Sequence, residues 1–291
     1  MIATSRIELV RSAITRALRV RRAAKIELQD AVCPFDLAEK RGVEVRFQSL
    51  ASFDGMRSVD SGASTIVVSS LRPPGRKAFT CAHELGHDVF DHGVQIDELV
   101  ESRDTPREDE PEEILAHAFA GILLMPKSTV ERGMAVRGWH LRSCGPQEIY
   151  SLASWLGVGY TTLISHLQYG LRLLEVSRAD KLRKVRLPRL RKEILGEDCP
   201  SELVIVDSQW CGRPVDIQVD DIALMPAGGR AEGSCIEAVP DAAGRVLVRG
   251  VTPGIGRLIL QESAWASFVR VSRREYVGRN KYRHLEEMDD D

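Results

Sequence analysis

Two histidines and a glutamate form an H-E-x-x-H motif at residues 83–87. His83 and His87 are four positions apart, so on a helix their imidazoles lie on one face and reach one point, with Glu84 beside it. Two histidines, one further protein ligand and a position left for water are typical of a catalytic zinc (Zn2+) site, and the glutamate deprotonates the attacking water. Gly86, inside the predicted helix, indicates the close approach of a second backbone or a ligand. The motif therefore predicts hydrolysis of a peptide bond at a metal site.

The third ligand must come from elsewhere in the chain. Position 93 is a glycine, which excludes the arrangement with a third histidine six residues after His87. Glu113 stands at the start of a predicted apolar helix, after a loop long enough to fold that helix back. We expect Glu113 to complete a His/His/Glu set. The competing acids, Glu110 and Glu112, are interpreted as surface residues of the loop.

Three further side chains near the motif leave alternatives open. His117, four residues after Glu113, could hydrogen-bond a ligand, polarise the substrate, or be a partly buried histidine satisfied by backbone. His92 could support a ligand or contact the transition state. Asp88 is interpreted as a surface acid that could also orient a ligating imidazole. A purely structural zinc site would need a fourth ligand, and His92 and His117 are the nearby candidates.

The motif and its surroundings together resemble a known family. The resemblance is to the ImmA/IrrE family of bacterial metallo-endopeptidases, and it extends over roughly residues 30–172. Its central segments are Phe79–His87, Glu113–Ala120 and Leu123–Pro126. It implies His83, His87 and Glu113 as zinc ligands, Glu84 as catalytic base, and a specific protein substrate, typically a helix-turn-helix repressor cleaved during stress or mobile-element induction. His117 is a departure, because similar members often carry asparagine there.

The pattern along the chain predicts an α+β protein with two main parts. We expect an N-terminal helix in 1–29, a mainly helical, zincin-like peptidase domain with a small sheet in 30–175, a basic linker in 176–198, and a β-rich C-terminal domain, sandwich or barrel-like, in 199–291. Alternation at 43–47 and a β-branched run at 64–70 predict the small sheet. Short apolar segments separated by turn residues predict the C-terminal strands.

Two regions could bind nucleic acid or another partner. Residues 147–174 have the spacing of a helix-turn-helix, but its second helix, Tyr160–Gln168, contains no lysine or arginine, which favours packing within the peptidase domain over DNA binding. Residues 265–284 place basic residues between aromatic ones. That pattern fits a binding edge or an ordinary strand pair with a polar face. Direct nucleic-acid binding is therefore the weaker interpretation.

Composition limits the class of protein. The chain has 291 residues, 43% of them hydrophobic, and 40 lysines and arginines balance 42 acids, which argues against a general polyanion binder. No run approaches the roughly 18 apolar residues of a spanning helix, and six scattered cysteines favour reduced thiols. We predict a cytoplasmic zinc metallo-endopeptidase, without a membrane partner, acting on a co-encoded helix-turn-helix repressor. The alternative is a non-proteolytic DNA-binding or scaffold regulator with a structural zinc site.

Overall fold

The N-terminal part of the protein is mainly helical. The computed structural model describes residues 5–60, 62–92, 95–98, 110–240, 244–260 and 264–285. The helices of this part are α1 (Arg6–Ala23), α2 (Pro34–Lys40), α3 (Pro74–Phe90), α4 (Pro111–Leu124), α5 (Lys127–Ala135), α6 (Pro146–Leu156) and α7 (Tyr160–Ser165), which continues as a π-helical turn (His166–Gly170). None of the helices within the described ranges is long and apolar enough to cross a membrane.

One sheet lies against these helices, and the far end of the chain adds a strand to it. Its members are β1 (Glu44–Gln48), β2 (Phe53–Asp60), β3 (Ala63–Ser69), β4 (Gln95–Glu98) and β13 (Gly278–Arg279). Their spatial order is β13-β1-β3-β2-β4. Strands β1 and β3 are parallel, and the other pairs are antiparallel. The sequence predicts β1 and β3 but not β2, β4 or β13.

The C-terminal part is rich in β-structure, as predicted, so the protein belongs to the mixed α+β class. Its strands are β5 (Leu203–Ile205), β6 (Val215–Gln218), β7 (Ile222–Met225), β8 (Gly229–Glu232), β9 (Ile236–Pro240), β10 (Val246–Gly250), β11 (Gly254–Leu260) and β12 (Ala266–Ser272). They form two four-stranded sheets, ordered β5-β7-β10-β9 and β6-β12-β11-β8. Val215, Val269 and Val271 are fully buried in this part.

Residues 176–198, predicted as a basic linker, contain two helices. These are α8 (Val176–Arg183) and α9 (Leu187–Leu195). Both are amphipathic, because Leu182, Leu190 and Ile194 are buried while most of the basic side chains face outward. The apolar residues recur at helical spacing within the basic run, and their burial fixes the segment on the protein surface.

Helix α1 is capped at its start and hydrogen-bonded to the neighbouring α4 near its end. Ser5 and Glu8 form a reciprocal capping box at its start, and Ala13 and Ala17 are fully buried against the core. Arg21, near its end, is completely buried and donates to the backbone carbonyl of Leu123 at 2.7 Å. The helix thereby packs along α4, which carries Glu113.

The helix pair predicted at 147–174 corresponds to α6 and α7. Leu152, Leu156 and Leu163 are fully buried, so the pair contributes to the core. The hydroxyl of Tyr150 in α6 donates to the carbonyl of Leu203 at 2.7 Å. This contact joins the pair to the C-terminal part.

Candidate active site

Helix α3 carries the H-E-x-x-H motif in the interior of the protein. Pro74 occupies its first turn, where the missing backbone N–H costs nothing. Asp91 ends it with a left-handed backbone (φ 55°). His83, Glu84 and His87 are all buried, Glu84 with only 1% of its surface exposed. Burial of such polar groups is costly unless other groups satisfy them, so the neighbours of this helix decide what the motif can do.

Gly86 allows α4 to approach α3 closely. A Cβ atom at this position would lie 3.0 Å from Cα of Ala116 and 3.1 Å from Cδ1 of Phe119. A side chain here would therefore require the neighbouring atoms of α4 to shift by a few tenths of an ångström. The glycine inside the motif is explained by this close backbone approach, one of the two reasons predicted for it.

The close packing brings one carboxylate of α4 to the two motif histidines. Nε2 of His83 lies 3.0 Å from Nε2 of His87, and the carboxylate oxygens of Glu113 lie 3.3 Å from the first nitrogen and 3.6 Å from the second. Zinc binds nitrogen and oxygen ligands at about 2.0–2.2 Å, which in a tetrahedron separates neighbouring ligand atoms by about 3.3 Å. The three atoms therefore have the spacing that a single metal ion requires.

His83, His87 and Glu113 are the one group in the described ranges with the composition and spacing of a metal site. We call these three residues the metal group. Glu113 belongs to the group, whereas the competing acids Glu110 and Glu112 do not. Burial lowers the pKa of His87 to about 3. Its imidazole is consequently neutral, which is the form that binds a metal.

The imidazole of His92 contacts Nδ1 of His87, the ring nitrogen that faces away from the metal group. The two Nδ1 atoms lie 2.9 Å apart. If the Nδ1–H of His87 donates to Nδ1 of His92, then Nε2 of His87 keeps its lone pair for the metal, the tautomer that such outer partners select. The ring of His92 is itself fixed by stacking on Phe90 at 5.6 Å. Of the roles considered for His92, support of a ligand is the one that this geometry favours.

Arg57 of β2 connects the C-terminal end of α3 to the sheet through hydrogen bonds. Its guanidinium donates to the backbone carbonyl of His92 and, at 3.1 Å, to the carboxylate of Asp88. Ser64 of β3 donates to the same carboxylate at 2.6 Å. The carboxylate of Asp88 therefore contacts side chains of two strands. Sequence analysis missed Arg57, since a lone arginine in an unpredicted strand carries no signal.

Glu84 lies on the side of α3 that faces β2. A Cβ atom at Gly55 would lie 2.4 Å from Cγ2 of Thr80 and 3.1 Å from the carbonyl oxygen of Val67, with Cγ of Glu84 at 3.6 Å. The strand thus packs directly over the helix at this point. Gly55 is a second glycine that the site needs, and sequence analysis did not identify it.

His117 is exposed, which differs from the partly buried alternative. Its ring packs on Phe79, with the ring centres 5.1 Å apart. Phe79 precedes His83 by one helical turn and His117 follows Glu113 by one turn, so the pair lies at the border of the metal group without belonging to it.

Comparison with known proteins agrees with this geometry. Residues 38–167 match the family Peptidase_M78, described as an IrrE N-terminal-like domain. This part of the chain is therefore similar to the peptidase M78 family. This match confirms the ImmA/IrrE resemblance found in the sequence. The matched region includes α3 and α4, and therefore all four residues of the predicted site, but neither α1 nor the C-terminal β-rich part.

Two other comparisons add little to this match. Comparison with curated proteins finds no match. Among solved structures, a Mycobacterium tuberculosis transcriptional regulator is similar, with a TM-score of 0.35 and 18% sequence identity. The similarity covers 54% of this chain and 46% of that regulator, so the chain spans about half of its length.

Proposed function

We propose that this protein is a zinc-dependent metallo-endopeptidase. The observation that carries the proposal is the convergence of His83, His87 and Glu113 beside the buried Glu84 of the same helix. Three protein ligands with a remaining position are typical of catalytic zinc sites, whereas structural sites use four. Within the described residues the group has three members, which supports hydrolysis over the structural-zinc alternative. His92, a candidate fourth ligand, is directed at Nδ1 of His87 instead.

A zinc ion held by these three residues would polarise the peptide carbonyl and make water a stronger nucleophile. Glu84 would accept a proton from the attacking water as the new carbon–oxygen bond forms. It would then return this proton to the leaving nitrogen as the carbon–nitrogen bond breaks. His87, oriented by His92, would hold its ligating nitrogen in place during both steps. His117 is exposed beside this site, and we assign it a contact with the substrate.

The proposed substrate is a cytoplasmic helix-turn-helix repressor encoded beside this protein, cleaved in stress or mobile-element regulation. This part of the proposal rests on the family resemblance alone. A non-proteolytic DNA-binding or scaffold regulator remains the competing proposal. The sequence of the second helix supports the peptidase, because Tyr160–Gln168 contains no lysine or arginine for phosphate contacts.

A Glu84→Gln variant tests the proposal. The amide keeps the size of the side chain but cannot accept the proton, so we expect zinc binding to survive and cleavage of the co-encoded repressor to fall about 10²–10⁴-fold. Glu112→Gln is the matched control, because Glu112 is an acid of α4 outside the metal group, and it should leave both zinc content and cleavage unchanged.

Zinc content is measured by elemental analysis, and cleavage by gel electrophoresis and mass spectrometry of the repressor. If Glu84→Gln processes the repressor at the wild-type rate, the proteolytic function is wrong. If wild-type protein binds zinc but cleaves neither that repressor nor an unfolded protein substrate, the non-proteolytic alternative takes its place.

A further inference from the structure

A cleft lies where the C-terminal tail meets the start of α3. Its walls include Phe35 of α2, Phe47 of β1, Lys77 of α3, and Tyr276 and Arg283 of the tail, and we call it the tail cleft. It is an open cleft, with about 490 Å³ of space along its walls that includes open solvent. Lys77 precedes His83 by six residues, about 9 Å along the helix, so the tail cleft is separate from the metal group.

Three aromatic rings give the tail cleft an apolar wall. Phe35 and Phe47 meet edge to face with ring centres 5.3 Å apart, and Phe47 and Tyr276 meet in the same manner at 6.3 Å. The guanidinium of Arg283 lies over the ring of Phe35, 4.9 Å from its centre. Such a wall suits an apolar or aryl group, because a further ring can join it edge to face or offset.

Lys77 places a positive charge beside this wall. Its ammonium group contacts the carbonyl of Ser70 at 3.5 Å and lies 6.0 Å from the ring centre of Phe47. Among the described residues no carboxylate oxygen lies within 4 Å of it, although Asp221 and Glu275 act on it from farther away. Burial lowers the pKa of Lys77 to about 8. An anion at this position would stabilise the charged ammonium.

The acid inside the tail cleft is already neutralised. The carboxylate of Asp216 accepts hydrogen bonds from Arg270 at 2.7 Å and from Arg283 at 3.2 Å. Arg270 also contacts Asp36 at 3.0 Å. Two arginines therefore balance the two acids, and Lys77 adds positive charge on the side of the aromatic rings.

We propose that the tail cleft binds a small amphiphilic carboxylate, with its apolar body against Phe47 and Tyr276 and its carboxylate paired with Lys77. The proposal does not depend on the peptidase function. Tyr276 lies two residues before β13, which pairs with β1, and Lys77 lies in the first turn of α3. A ligand held between them joins the C-terminal tail to the helix that carries the metal-binding histidines, and so stabilises the native protein.

Phenylacetate is the probe, and the neutral phenylacetamide, of the same shape, tests the role of charge. Calorimetric titration of the full chain should show saturable binding of phenylacetate, at least tenfold weaker binding of phenylacetamide, and a rise in the unfolding temperature with phenylacetate only. Lys77→Met should weaken phenylacetate binding at least tenfold. The control is Lys127→Met, which removes an exposed lysine of α5 and should leave binding unchanged.

The Lys77→Met chain should remain folded, because methionine fills the same half-buried space without a charge; its far-ultraviolet circular dichroism verifies this. Equal affinities for phenylacetate and phenylacetamide would overturn the proposal. Binding of phenylacetate to folded Lys77→Met with the wild-type affinity would also overturn it. So would the absence of saturable binding when the wild-type chain is titrated with phenylacetate and, separately, with hexanoate, a carboxylate with an aliphatic body.

Discussion

Gly86→Ala tests whether the close approach of α4 to α3 is what places Glu113 at the two histidines. The added Cβ would lie 3.0 Å from Cα of Ala116, whereas carbon atoms pack at about 3.5–4.0 Å. The neighbouring atoms of α4 must therefore shift by a few tenths of an ångström. Metal–ligand distances tolerate only about 0.2 Å, so we expect zinc affinity to fall at least about tenfold, as when a partner supporting a ligand is lost.

The effect of Gly86→Ala on stability should be smaller than its effect on zinc binding. Overpacking costs about 1–3 kcal/mol, but alanine stabilises a helix by about 1 kcal/mol over glycine. The metal-free variant should therefore lose between about 0 and 2 kcal/mol of unfolding free energy. Urea unfolding in chelator measures this quantity, and competition with a chromophoric chelator measures zinc affinity.

Gly133→Ala is the matched control. Its Cβ would lie 2.7 Å from Cδ1 of Leu152 and 2.9 Å from Cζ3 of Trp155, so it overpacks the contact of α5 with α6, away from the metal group. It should lower stability while leaving zinc affinity at the wild-type value. If Gly86→Ala binds zinc as tightly as the wild type and is about 1 kcal/mol more stable, the close approach is not what positions Glu113.

Two further predictions concern the supports of the site and of the tail. His92→Phe keeps the packing on Phe90 but removes the contact with His87, so zinc affinity should fall about 10–100-fold. His117→Phe is the control, and a chelator competition measures both variants. Equal losses of zinc affinity in the two variants would contradict the role of His92. Burial raises the pKa of Asp216, but its arginine partners outweigh burial and lower that pKa to about 2. A lowered native pKa means that this stabilising contribution is present above the unfolded pKa near 3.8 and is lost as the pH falls toward 2. Acid unfolding of Asp216→Asn followed by circular dichroism should show a weaker pH dependence in this window, and an unchanged dependence would contradict the assignment.

Much of the helical frame and the main site residues could be predicted from local patterns. The predicted short helix at 33–42 corresponds to α2, and the predicted strands at 43–47 and 64–70 correspond to β1 and β3. The apolar helix predicted from Glu113 is α4. Strand β2 was missed because it contains charged residues and a glycine without clear alternation of apolar and polar positions. Strand β4 was missed as well. The helices α8 and α9 were interpreted as linker because charge dominated their composition.

Local sequence patterns could not predict the contacts that His92 and Arg57 make around the site. His92 contacts His87 only because α3 ends with a left-handed residue, Asp91, which turns the chain back toward the helix. Arg57 reaches the end of α3 from β2, thirty-one positions away from Asp88 along the chain. Such contacts depend on how a helix crosses a sheet, which no local spacing encodes.

The sequence by itself determined which residues of α3 share one face. Because a helix repeats every 3.6 residues, the four-residue spacing of His83 and His87 already placed two ligands on one face. Tertiary structure decided what surrounds them. Close packing at Gly86 brought Glu113 within ligand distance, and the return of the C-terminal tail to β1 built the tail cleft beside Lys77. These juxtapositions follow from burial of apolar surface between distant elements, so they exist only once the whole chain is folded.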